Sequence, residues 1–379
     1  MSHELTRGDR VVVTGAAGFI GSAVTRALLA RGADVVALLE PGASAKNLDN
    51  LDLERREVDL TKLSSLAGVF DGAKYCFHLA AKFGFWPSDA STFYDVNVKG
   101  SRHVIAQASE AGVDRIVYTS TVATLGLWRT KSGTPSNEDD VADLSHLYGN
   151  YKQTKYVAEH EVLRLAAQGA PVVLVLPTMP HGPYDYRPTP SGKVVLDYLN
   201  GAMPGYVDTA MNVAHVDDLA LGHLLALEKG LQGRSYICGG ENISMSQLLA
   251  ILSDVTGLPS SQRKFPSFFP LVAGYASQFF EGSVLHREPR PPRHDVVVER
   301  ERQALEAGDI DVVGLGGQIE VVAQAELAFV EPEGLRADDR AIGQGAGRNI
   351  LKIADCVAQK RLLTAAAANR FVAEQRRCV

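Results

Sequence analysis

The chain has 379 residues, 46% hydrophobic and 22% charged, ordinary values for a soluble globular protein with one large or two smaller domains. A formal net charge of −6 gives no bulk electrostatic pull toward nucleic acid. The four cysteines, Cys76, Cys238, Cys356 and Cys378, form no C-x-x-C, which argues against zinc and dithiol patterns and fits a reducing cytoplasm.

The N-terminal "MSHELTRGDR" is too polar for a signal peptide, and no run of about 18 apolar residues predicts a transmembrane helix. "RVVVTG" then reads as a buried strand and "GSAVTRALLARG" as a helix stopped by Gly32. "DVVALLE", "EVDL" and "AKYCFHLAA" read as three further strands, with "SSLAGVFDG" helical between the last two. "TFYDVNVKGSRHVIAQASEAG" has the pattern of one long amphipathic helix, and "RIVYTST" of a fifth strand. A helix on "YKQTKYVAEHEVLRLAAQG" and a sixth strand on "PVVLVLPT" follow. This alternation predicts an α/β fold, a doubly wound parallel sheet between two helix layers. The Pro/Gly-rich "MPHGPYDYRPTPSGK" follows a strand's carboxyl end, where substrate loops sit in such sheets. Residues 1–176 thus read mainly as a dinucleotide-binding domain and 177–290 mainly as a smaller substrate lobe with returning sheet elements. From 291 to 379 the texture changes: Tyr and Trp vanish, only Phe329 and Phe371 remain of the aromatics, and no chemical motif appears.

Gly15, Gly18 and Gly21 follow the first strand and open the first helix. The first permits a tight turn, the second lets backbone approach a pyrophosphate, and the third permits close helix packing. The helix N-terminus adds free N–H groups and a positive dipole end. The spacing is G-x-x-G-x-x-G rather than G-x-G-x-x-G, but the strand before and the helix after supply the required context. Ala17, Phe19 and Ile20 of the same turn are candidate cofactor contacts. Glu40 ends the second strand, nineteen residues beyond Gly21. An acid there accepts from ribose hydroxyls and repels a 2′-phosphate, favouring NAD over NADP; as a solvated loop acid it would do neither. Asp59, with Leu60 beside it, either meets the adenine edge or caps a helix.

Tyr151 and Lys155 stand four apart on a helix and share one face. A phenol with a pKa of about 10 needs roughly 4 kcal/mol of differential stabilisation to ionise near pH 7, and a neighbouring ammonium contributes to that. "VYTSTVATLG" places hydroxyls at Thr119, Ser120 and Thr121 at a strand's carboxyl end, where one can donate to a substrate oxygen. Ser120 and Thr121 could equally be loop caps.

"TGAAGFIG", "FHLAA", "NVKGS", "YTSTVATLG" and "YKQTK" together resemble the extended short-chain dehydrogenase/reductase family. Within it, "VATLGL", "PTPSGKVVLDYLNGAMPGYVDT", "HVDDLALGHLLALEKG" and "GGENIS" resemble hopanoid-associated sugar epimerases, which lie close to dihydroflavonol-reductase-like proteins. The similarity covers about residues 10–290. It implies a nucleotide-binding domain with a small substrate lobe, bound NAD or NADP, and a Ser/Thr–Tyr–Lys site. By position the hydroxyl donor is Thr121, with Ser120 its neighbouring alternative. Tyr151 is the acid/base and Lys155 its partner, also holding the nicotinamide ribose. His78, Ala80 and Ala81 line the cofactor. Asn97 matches the family asparagine, as a cofactor contact or as a brace of the backbone. Pro177 and Thr178 lie beside the nicotinamide. Many relatives carry Arg where this chain has Glu40. The resemblance also implies a homodimer through the two long helices. The family's closing "E-L-G-Y"-like helix has no counterpart after Pro291.

These features point to an NAD(P)-dependent sugar epimerase or dehydratase-type oxidoreductase, which the resemblance links to hopanoid biosynthesis, with a small sugar, sugar-linked or ketone substrate. One alternative is a dihydroflavonol-4-reductase-like ketone/alcohol oxidoreductase. Another is a non-catalytic dinucleotide-binding protein. Epimerase and reductase differ in net cofactor turnover, not in the triad.

Overall fold

The computed structural model describes residues 3–83, 90–126, 136–144, 147, 149–207, 209–259 and 263–266. The tail 291–379 lies outside them, as do Cys356 and Cys378. Seven parallel strands form the main sheet: β1 (Arg10–Thr14), β2 (Asp34–Leu39), β3 (Glu54–Glu57), β4 (Tyr75–His78), β5 (Arg115–Thr119), β6 (Val172–Pro177) and β10 (Ser235–Cys238). Their order is β10-β6-β5-β4-β1-β2-β3, the doubly wound Rossmann arrangement. Sequence order reverses between β1 and β4, which opens a crevice beyond their carboxyl ends, where ligands bind in such sheets.

The central strands are apolar on both faces because both are covered; Val11, Val12, Val13, Ile116, Val117, Val173 and Leu174 are all fully buried. On one face α1 (Phe19–Ala30) packs with α6 (Val216–Lys229) through Val24, Leu28, Leu219, Leu224 and Leu227. α3 (Ser101–Glu110) and α4 (Asn150–Ala167) pack together as a second helix pair. A second core, built around Val195, Tyr198, Val213, Ile243, Leu248 and Leu252, holds the smaller sheet. That sheet comprises β7 (Met179–His181), β9 (Ala210–His215) and β11 (Glu241–Ser244), flanked by α5 (Pro190–Leu199) and α7 (Met245–Thr256). A two-stranded ribbon pairs β8 (Tyr206–Val207) with β12 (Lys264–Phe265).

Three local expectations are corrected. The third strand lies on Glu54–Glu57 and ends where "EVDL" begins. It is a polar edge strand whose pairing apolar runs cannot reveal: Arg10 reaches Asp34 at 2.6 Å and Glu54 at 2.5 Å, tying β1, β2 and β3 by charge. "SSLAGVFDG" contributes only a 3₁₀ turn, Leu63–Leu66, because Gly68 and Gly72 adopt left-handed φ of 68° and 70°. The long helix after β4 runs on from Ala90 to Glu110 but is not α throughout: α2 (Ala90–Tyr94) passes into a π-helical stretch, Asp95–Gly100, before α3 begins. Asn97 in that stretch is anchored sideways rather than along the helix, and the extra residue per turn aims it.

Candidate active site

The glycine turn is built by contacts that leave no room for side chains. Gly15 has φ +67°, and a Cβ there would lie 2.7 Å from the Ala80 backbone nitrogen. The turn after β1 therefore touches the chain leaving β4. A Cβ on Gly21 would collide with the Gly15 carbonyl oxygen, so the first turn of α1 sits directly on the glycine turn rather than on the sheet. Gly18 is exposed and N-caps α1 with its amide 2.9 Å from Gly15 O. The first-turn amides of Phe19, Ile20 and Gly21 have no intrahelical acceptor, at the end of α1 that follows β1. Asn47 steadies this turn: its Nδ2 donates to Ala17 O at 2.9 Å, while Arg26 donates to Asn47 O at 2.6 Å.

Glu40 is exposed and directly follows β2. Asp59 caps a local turn, accepting from the Thr61 hydroxyl at 2.6 Å and its amide at 3.1 Å, and pairs with Lys62 at 3.0 Å. The Thr61 hydrogen bond leads in holding its pKa below the usual carboxylate value. Leu60 packs against Gly100, and its carbonyl accepts from His103 at 2.9 Å. Ala80 is half-buried and Ala81 exposed.

His78 is fully buried in β4, with both ring nitrogens bonded within the protein. A directional chain fixes its tautomer. The Ala80 amide donates to Thr14 Oγ1 at 3.1 Å, leaving the Thr14 hydroxyl to donate to His78 Nδ1 at 2.6 Å. Nε2–H then donates to Ser101 Oγ at 2.9 Å, and Ser101 donates to Asn97 O at 2.6 Å. Burial and the Lys155 charge lower its pKa to about 3, so the ring is neutral. Asn97 braces the chain: Oδ1 accepts from the Lys82 amide at 2.7 Å, and Nδ2 donates to Lys82 O at 3.1 Å and Thr154 Oγ1 at 3.0 Å.

The three hydroxyls at the end of β5 separate sharply. Thr119 is bonded to His223 Nε2 at 2.9 Å; His223 Nδ1 serves Leu219 O at 2.7 Å, so Thr119 is the donor. Ser120 is buried and donates to Glu159. Thr121 is committed to neither of these partners: its hydroxyl favours the ionised form of the Tyr151 phenol, and its Oγ1 receives the Ala123 amide at 3.2 Å. Alternation along the extended chain turns Thr119 toward α6 and Ser120 toward α4, whereas Thr121 lies beyond the strand as the N-cap of the 3₁₀ turn Val122–Thr124.

Tyr151 opens α4, half-buried, with Phe83 edge-on at 4.6 Å between centroids. Burial pushes its pKa up to about 12, against the pull of the Thr121 bond. Lys155 lies one turn deeper and is 3% exposed. Its Nζ donates to Thr119 O at 2.7 Å and Tyr118 OH at 3.1 Å, so these hydrogen bonds run to β5 rather than to Tyr151. Burial pushes its pKa down to about 8, opposed by Glu159. Moving a phenol from about 12 to 7 takes about 7 kcal/mol, whereas one ammonium at 4 Å supplies on the order of 4 kcal/mol. Tyr151 is therefore protonated in the free protein and poised as a proton donor.

Pro177 ends β6 and is buried. Thr178 follows with its Oγ1 buried and without a protein partner. Beyond it, Tyr184 and Tyr186 lay their rings against Arg26 and Lys46, with the cations 3.8 Å and 4.2 Å from the ring centroids. No group of His, Cys, Asp or Glu suited to a metal occurs among the described residues, and none of their helices is long and apolar enough to cross a membrane.

Sequence patterns brought together Thr121, Tyr151 and Lys155 but missed the buried partners Thr14, Ser101, Tyr118, Asn47 and Glu159. Glu159 carried a legible signal, an acid four residues beyond Lys155 on the inward face; the others look like ordinary strand and helix residues. The glycine cradle, the first-turn amides and the orphaned Thr178 hydroxyl suit a dinucleotide lying from α1 toward β6.

Comparison with known proteins agrees. Residues 11–239 match the model of the NAD dependent epimerase/dehydratase family. A Synechocystis protein named as a candidate dihydroflavonol 4-reductase is 37% identical over 311 residues, covering 81% of this chain and 90% of that one. Sterol demethylase protein B of Methylococcus capsulatus is 34% identical over 255 residues, covering 67% of this chain and 77% of its own. The crystal structure of gox2253 superposes with a TM-score of 0.67 at 39% identity, covering 79% of this chain and 93% of that one. Fold, glycine cradle and relatives together establish that the chain belongs to the NAD dependent epimerase/dehydratase family, an extended short-chain dehydrogenase/reductase type with NAD or NADP as cofactor.

Proposed function

We propose that the protein is a nicotinamide-dependent oxidoreductase of the sugar-epimerase type, with Tyr151 as acid/base, Thr121 as the hydroxyl that orients the reacting oxygen, and Lys155 as the charge behind them. The observation that carries this reading is the sorting of the β5 hydroxyls: Thr119 and Ser120 are committed elsewhere, and Thr121 meets Tyr151. The bound nicotinamide supplies a hydride acceptor and donor. Tyr151 gives its proton to a substrate carbonyl oxygen or, once ionised, takes one from a substrate hydroxyl. Thr121 holds that oxygen in line by a second hydrogen bond. Lys155 favours the phenolate when the proton has left. Gly15, Ala17, Gly18, Phe19, Ile20 and Gly21 hold the pyrophosphate. Ala80, Ala81, Pro177 and Thr178 flank the dinucleotide, Glu40 accepts from the adenosine ribose and selects NAD, and Asp59 and Leu60 border the adenine. Asn97 acts through the backbone at Lys82.

A second reading, net reduction of a ketone, draws support from the name of the Synechocystis relative. The name of the Methylococcus relative, sterol demethylase protein B, supports a sterol-like substrate as an alternative to a hopanoid-linked sugar. A screen of the purified protein with NAD(H), NADP(H) and sugar or ketone substrates, following absorbance and product stereochemistry, decides between them. Inverted product with no net change in cofactor supports the epimerase, stoichiometric consumption supports the reductase, and no turnover with tight dinucleotide binding contradicts both.

A further inference from the structure

Glu159 sits four residues beyond Lys155 and eight beyond Tyr151 on α4, and it is 8% exposed. A carboxylate at that depth needs compensation. It receives the Ser120 hydroxyl, and at 2.8 Å the Thr124 hydroxyl, which is also 2.7 Å from Thr121 O. These two side chains bracket Thr121: Ser120 precedes it, and Thr124 closes the 3₁₀ turn Val122–Thr124 that follows. One carboxylate therefore grips both ends of the segment that presents Thr121 to Tyr151.

The charges around it are few. Lys155 faces β5 through Tyr118 and β4 through the neutral ring of His78. Tyr118 is held protonated by burial and then by the Glu159 charge. On the other side of α4, Glu161 pairs with Arg102 at 2.8 Å and Arg164 at 2.9 Å; on the π-helical stretch, Asp95 pairs with Lys99 at 3.4 Å. Among the described residues the Lys155 ammonium is thus left with neutral oxygens and the Glu159 charge.

We propose that Glu159 is a positioning residue, whose carboxylate clamps the Ser120–Thr124 segment so that Thr121 meets Tyr151 and serves as the counter-charge of the buried Lys155 ammonium. This rests on the reading of Thr121, Tyr151 and Lys155 given above. A purely structural carboxylate would hold the two hydroxyls and leave Lys155 indifferent to its charge.

The test is a pH profile of turnover with Glu159→Gln and Glu159→Asp, alongside the ¹³Cε shift titration of Lys155, assigned with Lys155→Met. Glutamine keeps the size and an acceptor oxygen but loses the charge. Removing a negative charge disfavours the ammonium, so the alkaline limb and the Lys155 titration should both move down by about one pH unit. Aspartate keeps the charge and loses reach: the alkaline limb stays near wild type while turnover falls about tenfold. An unmoved limb and unmoved titration in Glu159→Gln overturn the proposal. If Glu159→Gln does not fold, a downward shift of about one unit in Glu159→Asp overturns it instead. Tyr151→Phe in the same assay separates the levels. If it is inactive while Glu159→Gln titrates like wild type, only the role of Glu159 fails; if it turns over like wild type, the underlying reading fails and takes this role with it.

Discussion

At the end of β5, three adjacent hydroxyls meet three different fates, and the difference is set by what each faces: His223 for Thr119, Glu159 for Ser120 and Tyr151 for Thr121. The sequence shows the run of hydroxyls but not their partners, which come from α6 and α4, as far as 104 residues away. His223 makes a testable statement about stability. Burial lowers its pKa from 6.5 to about 4. The unfolded chain then takes up a proton that the folded state refuses, so stability is lost as pH falls from about 6.5 toward 4, at up to about 1.4 kcal/mol per pH unit for this group. Urea unfolding at pH 7 and pH 5 should show a drop about 2 kcal/mol smaller in His223→Gln than in wild type; equal drops would mean the histidine does not titrate this way. Glu40 yields a second prediction at this scale. Cofactor titrations should show wild type preferring NAD and Glu40→Arg shifting toward NADP, as a repulsion is removed and a phosphate partner added. An identical preference in both proteins would leave Glu40 without a role in selection.

Among the elements, the β1–α1 unit was fully legible because its geometry leaves only glycine as a solution. Gly15 needs a left-handed φ against Ala80, and Gly21 has no space for a methyl over the Gly15 carbonyl. Gly21→Ala must therefore open the turn. Overpacking of this kind destabilises by about 1–3 kcal/mol; calorimetry should show a lower Tm and isothermal titration at least about tenfold weaker NAD binding. Wild-type affinity in that variant would show that the turn does not hold the dinucleotide. Other elements were read wrongly for physical reasons. β3 is an edge strand carried by Glu54, Arg55, Arg56 and Glu57, so its pairing lies in the backbone and in ion pairs rather than in an apolar pattern. The π-helical stretch at Asp95–Gly100 arises from the tertiary anchoring of Asn97 to Lys82 and Thr154, which no local period encodes.

For the molecule as a whole, the doubly wound order places the glycine turn, the post-β4 chain, the β5 hydroxyls and Thr178 along one edge of one sheet, and α4 brings Tyr151 and Lys155 to it. That convergence was legible from strand order and motif order together. The buried network behind it was not, because Thr14, Ser101 and Tyr118 acquire their roles only through neighbours distant in sequence. The proposed cofactor motifs all precede Pro183, so a chain ending at Arg290 should retain NAD affinity with a modest loss of thermal stability; insolubility or lost binding would show that the segment beyond it completes the core. The central claim, that Tyr151 moves the substrate proton at a nicotinamide site, is tested most directly by comparing turnover of Tyr151→Phe with wild type at matched cofactor saturation. The substitution removes one oxygen, so NAD affinity should persist while turnover falls at least about a hundredfold. Wild-type turnover by Tyr151→Phe would contradict the account.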